Sequence, residues 1–130
     1  MSIKPENLEK SRRKLSYILG KSGEDIAIKY LKKKRYKIVE KGFRLFRGEI
    51  DIIAYDGRTL VFVEVKTRKS TNFGLPEEYV TYSKQKQIRK IANGYLFKNN
   101  LQYVECRFDV VSVIVEEKNK HEIHHIKNAF

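Results

Sequence analysis

A chain of 130 residues fits one compact domain and is long enough to enclose a core without disulfides or a structural metal. Lys and Arg number 28 against 16 Asp and Glu, so the formal net charge of +12 draws polyanions: nucleic acid, an anionic membrane surface or an acidic protein. No apolar run approaches the roughly 18 residues of a membrane span, and the charged N-terminus lacks the apolar stretch of a secretory signal, which leaves nucleic acid favoured, beside the plainer reading of a lysine-rich, highly soluble protein.

The apolar residues fall in short runs, which argues against global disorder. Residues 1–21 are polar and basic, with Leu8, Leu15, Ile18 and Leu19 spaced loosely as one helix face and Pro5 able to open it. They read as an N-terminal helical extension to a domain over residues 22–130. Ser22-Gly23-Glu24-Asp25 has the form of a capping box, so a helix is expected to start there, carry Ile26, Ala27, Tyr30 and Leu31 inward, and end near the basic run from Lys32 to Arg35.

Three strands are expected next: Tyr36 to Leu45, interrupted by Gly42, then Glu49 to Tyr55 and Thr59 to Thr67 around Asp56-Gly57, a strong hairpin signal. Arg68 to Thr81, with Asn72, Gly74 and Pro76, reads as a loop. Ser83 can cap a second helix whose Ile88, Ile91, Ala92, Tyr95 and Leu96 form a buried stripe ending at Asn99-Asn100. Phe108 to Val115 is apolar at nearly every position, as a strand covered on both faces requires, and Glu122 to Ile126 can add a last strand. The order α-β-β-β-α-β, with a possible final β, predicts an α/β (α+β) fold with a mixed central sheet flanked by helices.

The lone Cys106 suits a reducing cytosol and reads as a packing residue. His121, His124 and His125 lack a cysteine partner for zinc, and their alternation with Ile123 and Ile126 reads as strand. Asp109, inside the apolar strand, reads as a structural hydrogen-bonding residue.

Chemistry concentrates on the hairpin. Alternation places Glu49, Asp51, Ile53 and Tyr55 on one face of the first arm and Leu60, Phe62, Glu64 and Lys66 on one face of the second. With Asp56-Gly57 as the turn, Asp51 pairs with Phe62; with Gly57-Arg58 it stands directly opposite Glu64. In both registers Glu49, Asp51, Glu64 and Lys66 share a side. Carboxylates so crowded repel, and a hard cation, Mg²⁺ or Mn²⁺, resolves the conflict, with Lys66 placed to reach a substrate phosphate. The competing reading is a solvated charged face with ordinary cross-strand ion pairing; against it stands the apolar character of the rest of the second arm.

Gly48-Glu-Ile-Asp-Ile-Ile-Ala54 followed by Leu60-Val-Phe-Val-Glu-Val-Lys-Thr-Arg68 resembles the YraN family of endonuclease-like proteins. The likeness extends to Gly23-Glu-Asp-Ile-Ala27 with Tyr30-Leu31, to Lys84-Gln85, to Arg107-Phe-Asp-Val-Val111, and to His125-Ile126 with Asn128-Ala-Phe130, covering about residues 19–130. That family resembles archaeal Holliday-junction resolvases, of the restriction-endonuclease-like superfamily with its Asp and Glu-x-Lys signature. The resemblance implies an αβββαβ nuclease core, with Asp51, Glu64 and Lys66 as the signature residues and Ile50 where the signature has proline. It implies Glu24 as a metal ligand, although the same residue can serve to cap its helix. Glu49 is a further candidate ligand.

Arg68, Lys69, Lys84, Gln85, Lys86, Arg89 and Lys90 bracket the loop beside this site and are the expected nucleic-acid contacts, backbone-directed and salt-sensitive. Phe73 can stack on a base or anchor the loop. The expected function is Mg²⁺- or Mn²⁺-dependent cleavage of DNA, branched or structured, by a cytoplasmic protein without membrane attachment; by analogy with resolvases a homodimer is plausible. The alternatives are a non-catalytic nucleic-acid-binding protein that keeps the nuclease fold, and a partner-binding module whose basic face meets an acidic protein.

Overall fold

A computed structural model describes residues 4–69, 80–117 and 120–130, without the side chains of Glu9 and of residues 11–20. Phe73 and the loop residues Asn72, Gly74 and Pro76 lie outside the described residues, as do the side chains of Leu15, Ile18 and Leu19.

The elements are α1 (Pro5–Lys33), β1 (Lys37–Leu45), β2 (Gly48–Asp56), β3 (Thr59–Lys69), α2 (Tyr82–Lys98), β4 (Cys106–Val115) and β5 (His121–Ile126). The strands form one sheet in the order β1-β2-β3-β4-β5. The three-strand meander and the β4–β5 pair are antiparallel, whereas β3 and β4 are parallel. A parallel pair needs a crossover, and α2 lies in it. This is the mixed α+β sheet flanked by helices expected from the sequence, consistent with an αβββαβ core.

Each helix covers one face. Ala27 and Leu31 of α1 pack with Ile52, Ala54, Val61, Val63, Val111 and Val113. Ile88, Ile91, Ala92 and Tyr95 of α2 pack with Phe43, Ile50, Ile53, Leu60 and Phe62 on the other face. The β-branched runs of β3 and β4 are thus buried on both sides.

Three expectations are corrected. First, α1 is a single helix of 29 residues, opened by Pro5 in its first turn, so Ser22 to Asp25 lie inside it rather than at a cap. Gly23 is there for tertiary reasons: a Cβ at that position would collide with Thr67 Oγ1 on β3. Gly23→Ala is therefore expected to lower the urea midpoint, because overpacking (about 1–3 kcal/mol) outweighs the roughly 1 kcal/mol of helix propensity gained. A midpoint that rises would refute this close approach. Second, α2 is capped by Thr81, whose Oγ1 accepts from Lys84 N at 3.1 Å, and not by Ser83.

Third, strict alternation along β2 fails at the residue that matters. Ile53 packs on the α2 side and Ile52 and Ala54 on the α1 side, as expected, but Ile50 joins the α2 side. The β2–β3 ladder runs from Asp56↔Thr59 to Ile52↔Val63, and Asp51 is the first residue beyond it. Continuing the β1–β2 register sets Gly42, at φ +64°, across from Asp51. The β1–β2 ribbon turns away from β3 at this point, and the sheet forks.

Candidate metal centre

Asp56↔Thr59 pairing makes Gly57-Arg58 the hairpin turn, with positive φ at Gly57. Of the two registers open to the sequence, this is the one that sets Asp51 across from Glu64. The two carboxyl groups share a hydrogen bond. Asp51 Oδ2 also accepts from Val65 N–H at 2.8 Å, a backbone donor left free by the fork. Glu24 reaches in from α1 and Glu49 from β2, and a carboxylate oxygen from each of Glu24, Glu49 and Asp51 lies within 4.8 Å of the others. Glu24 sits deep inside α1, so the capping alternative for it falls, and its side chain is delivered to the fork.

The electrostatics are those of a crowded anionic site. Burial first, then the Glu64 charge, push the Asp51 carboxyl up to about 7, against the hydrogen bond from Val65. Glu64 is raised by burial, while the ammonium groups of Lys84 and Lys66 and the Asp51 hydrogen bond pull the other way. Glu24 is raised by burial and by Asp51. Burial and mutual repulsion thus push this pair of carboxyl groups toward protonation. The donor set consists of carboxylates, with no thiolate or imidazole, which fits a hard oxygen-seeking ion such as Mg²⁺ or Mn²⁺.

Lys66 follows Glu64 on β3. Lys84, expected as a nucleic-acid contact, also acts electrostatically on Asp51 and Glu64 from the first turn of α2. The other basic residues of α2 lie over aromatic rings: Lys86 Nζ is 4.9 Å from the Tyr82 ring centre, the Arg89 guanidinium 4.7 Å from Phe108, and Lys90 Nζ 4.9 Å from Phe46. Gln85 Nε2 donates to Val80 O at 3.0 Å. Arg68 is half-buried and Lys69 exposed at the end of β3.

A second polar cluster lies at the other end of β2. Asp109, fully buried, accepts from Arg107 Nε at 2.8 Å, His125 Nε2 at 2.7 Å and Asn128 N at 3.0 Å. Arg107 reaches on to the Tyr36 hydroxyl at 2.7 Å and to Asp56 at 3.1 Å, and the Tyr30 hydroxyl lies 3.1 Å from His125 Nδ1. Burial alone would raise Asp109, but the hydrogen bonds from His125, Arg107 and Asn128 outweigh it and hold the carboxyl at about 2. This is the structural role expected of Asp109, and its partners join α1, β2, β4 and β5.

Comparison with known proteins agrees with the resemblance read from the sequence. The model of UPF0102, described as an uncharacterised protein family, matches residues 23–113. The chain is 47% identical over 113 residues to a UPF0102 protein of Geobacter sulfurreducens, covering 87% of this chain and 88% of that one. It is 52% identical over 112 residues to a UPF0102 protein of Geotalea daltonii (86% and 88% covered), and 50% identical over 117 residues to one of Chlorobaculum tepidum (86% and 91%). The chain belongs to the UPF0102 family, the YraN family of the sequence reading. No helix among the described residues is long and apolar enough to cross a membrane.

Proposed function

We propose that this chain is a metal-dependent endonuclease hydrolysing phosphodiester bonds in DNA, branched or structured DNA in particular. The observation that carries the reading is the convergence at the fork: Asp51 in contact with Glu64, Glu24 and Glu49 beside Asp51, and two lysines directed at the same carboxylates. Asp51 and Glu64, with Glu24 and Glu49, would hold Mg²⁺ or Mn²⁺. Bound there, the ion supplies charge neutralisation at phosphorus and acidification of a water.

The protein's own groups do the rest. Lys66 projects beside Glu64 and is placed to donate to the phosphate oxygen that gains charge. Lys84 adds a second positive charge from α2, which packs on the same face of β3. Val65 N–H fixes the Asp51 carboxylate, so the ligand geometry is set by backbone rather than by a free rotamer. The net charge of +12 brings the polyanion to the site.

The test is incubation of the purified protein with linear duplex, single-stranded and four-way-junction DNA in Mg²⁺, Mn²⁺ or EDTA, with Glu64→Gln and Lys66→Ala in parallel. Cleavage is expected with metal only, lost in both variants. Salt-sensitive binding without cleavage in any metal would make the protein a non-catalytic binder. No DNA binding at low salt would leave only a protein partner for its basic surface.

A further inference from the structure

The β1–β2 turn holds two consecutive residues, Phe46 and Arg47, at φ +52° and +59°. A two-residue turn of that handedness forms most readily with Asn-Gly. Large side chains at both positions oppose the local backbone preference, and such strain persists where the surroundings over-determine it and the side chains serve a purpose. The surroundings here are glycines. A Cβ on Gly94 of α2 would collide with the Leu45 side chain and come within 3.0 Å of the Phe46 ring; one on Gly48 would lie 2.6 Å from Ile91 Cδ1. Both glycines let the hairpin lie flat on α2, and Lys90 Nζ, 4.9 Å from the Phe46 ring centre, closes over it.

This packing sets the backbone from which two arginines extend. Arg44, Leu45, Arg47, Gly48 and Glu49 line a groove of about 450 Å³. Glu49 belongs to the carboxylate cluster as well, so the groove and the fork share one side chain. Arg44 pairs across the ladder with Glu49 and reaches its carboxylate at 3.5 Å, yet its side chain is 82% exposed. Arg47 is exposed and has no carboxylate within ion-pair distance among the described residues.

We propose that the β1–β2 tip is a phosphate clamp, in which Arg47 and Arg44 grip the backbone of a DNA strand led along this groove toward the carboxylates. The direction given to the strand rests on the proposed function; the contact itself does not. Guanidinium groups match phosphate oxygens in pairs, and a turn whose backbone is held by packing presents both from a common, ordered base. Contacts of this kind position a strand without reading its sequence.

The test is fluorescence anisotropy of labelled duplex and four-way-junction DNA over a salt series in EDTA. The proteins are the parent, Arg44→Ala, Arg47→Gly, Arg47→Asn, and Lys37→Ala, which removes one charge at the far end of β1. Each arginine variant is expected to bind several-fold more weakly at low salt and to flatten the slope of log K on log salt by about 0.9, the signature of one lost phosphate contact. Lys37→Ala should leave the slope in place. Arg47→Gly should also raise the melting temperature, since glycine accepts positive φ freely, and Arg47→Asn preserves the turn by a second route. Unchanged slopes in the arginine variants, or an equal fall in Lys37→Ala, overturn the clamp. Cleavage by the parent with unchanged slopes sinks the clamp alone. Arginine-dependent slopes without cleavage in either metal sink the cutting function and keep the clamp.

Discussion

Asp51→Asn is expected to abolish metal-dependent cleavage while leaving the metal-free protein at least as stable as the parent. The two effects have opposite signs because the carboxylate is a liability without an ion and a ligand with one. Burial and the neighbouring Glu64 push Asp51 up to about 7, against an ordinary value of 3.8. The folded chain therefore holds a proton that the unfolded chain releases, and stability falls as pH rises from about 4 to 7. Glu64 and Glu24 are raised as well and act in the same direction. Urea midpoints in EDTA should decline across that window in the parent and much less in Asp51→Asn; a parent midpoint that climbs would contradict the burial of these groups.

Adding Mg²⁺ should reverse the decline. An ion at a hundred times its Kd stabilises the native state by about 2.7 kcal/mol, and this gain should vanish in Asp51→Asn. Cleavage should fall by roughly 10²–10³-fold or more in Asp51→Asn, as is typical when one preorganised charged group is lost. A variant that cuts at the parental rate would remove Asp51 from the site.

Asp109→Asn should be the most destabilising single substitution at the remote cluster, by about 3–5 kcal/mol, since it strands the buried Arg107 and His125 side chains. The lower end is expected, because Arg107 retains Asp56 at 3.1 Å. The sign of the pH dependence is opposite to that of the fork. With Asp109 held at about 2 in the folded chain, its contribution is complete above the ordinary 3.8 and is lost as pH falls toward 2. Acid unfolding of the parent should show this step, and Asp109→Asn should not. Glu49 and Asp56 are seven residues apart on β2, about 23 Å at ~3.3 Å per residue, so DNA cleavage by the folded fraction should survive. Loss of activity in fully folded Asp109→Asn would tie the two clusters together.

The fold was legible because its elements obey simple periods. The stripe from Ile88 to Leu96 and the β-branched runs of β3 and β4 each have one physical solution, and the Asp56-Gly57 pair marked the hairpin while leaving its register open by one step. What misled was local chemistry overridden by tertiary contact. Ser22-Gly23-Glu24-Asp25 has the composition of a helix start, but its glycine makes room for Thr67 and its Glu24 joins Glu49 and Asp51 in the carboxylate cluster. Alternation singled out Asp51 and Glu64, which do lie close together, although alternation along β2 breaks at Asp51 itself. Alternation could not find how Glu49 joins Glu24, because β2 changes face between Ile52 and Ile50, which a strict period of two does not allow. Lys84 was expected as a nucleic-acid contact and not as a neighbour of Asp51 and Glu64, since helical spacing does not reveal which face meets the fork. Arg44 and Arg47 were passed over because nothing in the pattern Leu45-Phe46-Arg47-Gly48 announces a left-handed turn.

The Val65 amide has a wider meaning. Were the hairpin to zip two residues further, Ile50 would come opposite Val65, and that N–H would be claimed by the neighbouring strand instead of by Asp51. Saturated strand pairing and an oriented carboxylate are rival uses of one proton donor. The chain resolves the rivalry by ending the β2–β3 ladder at Ile52↔Val63, so an interruption in strand pairing is what gives the Asp51 carboxylate its fixed orientation.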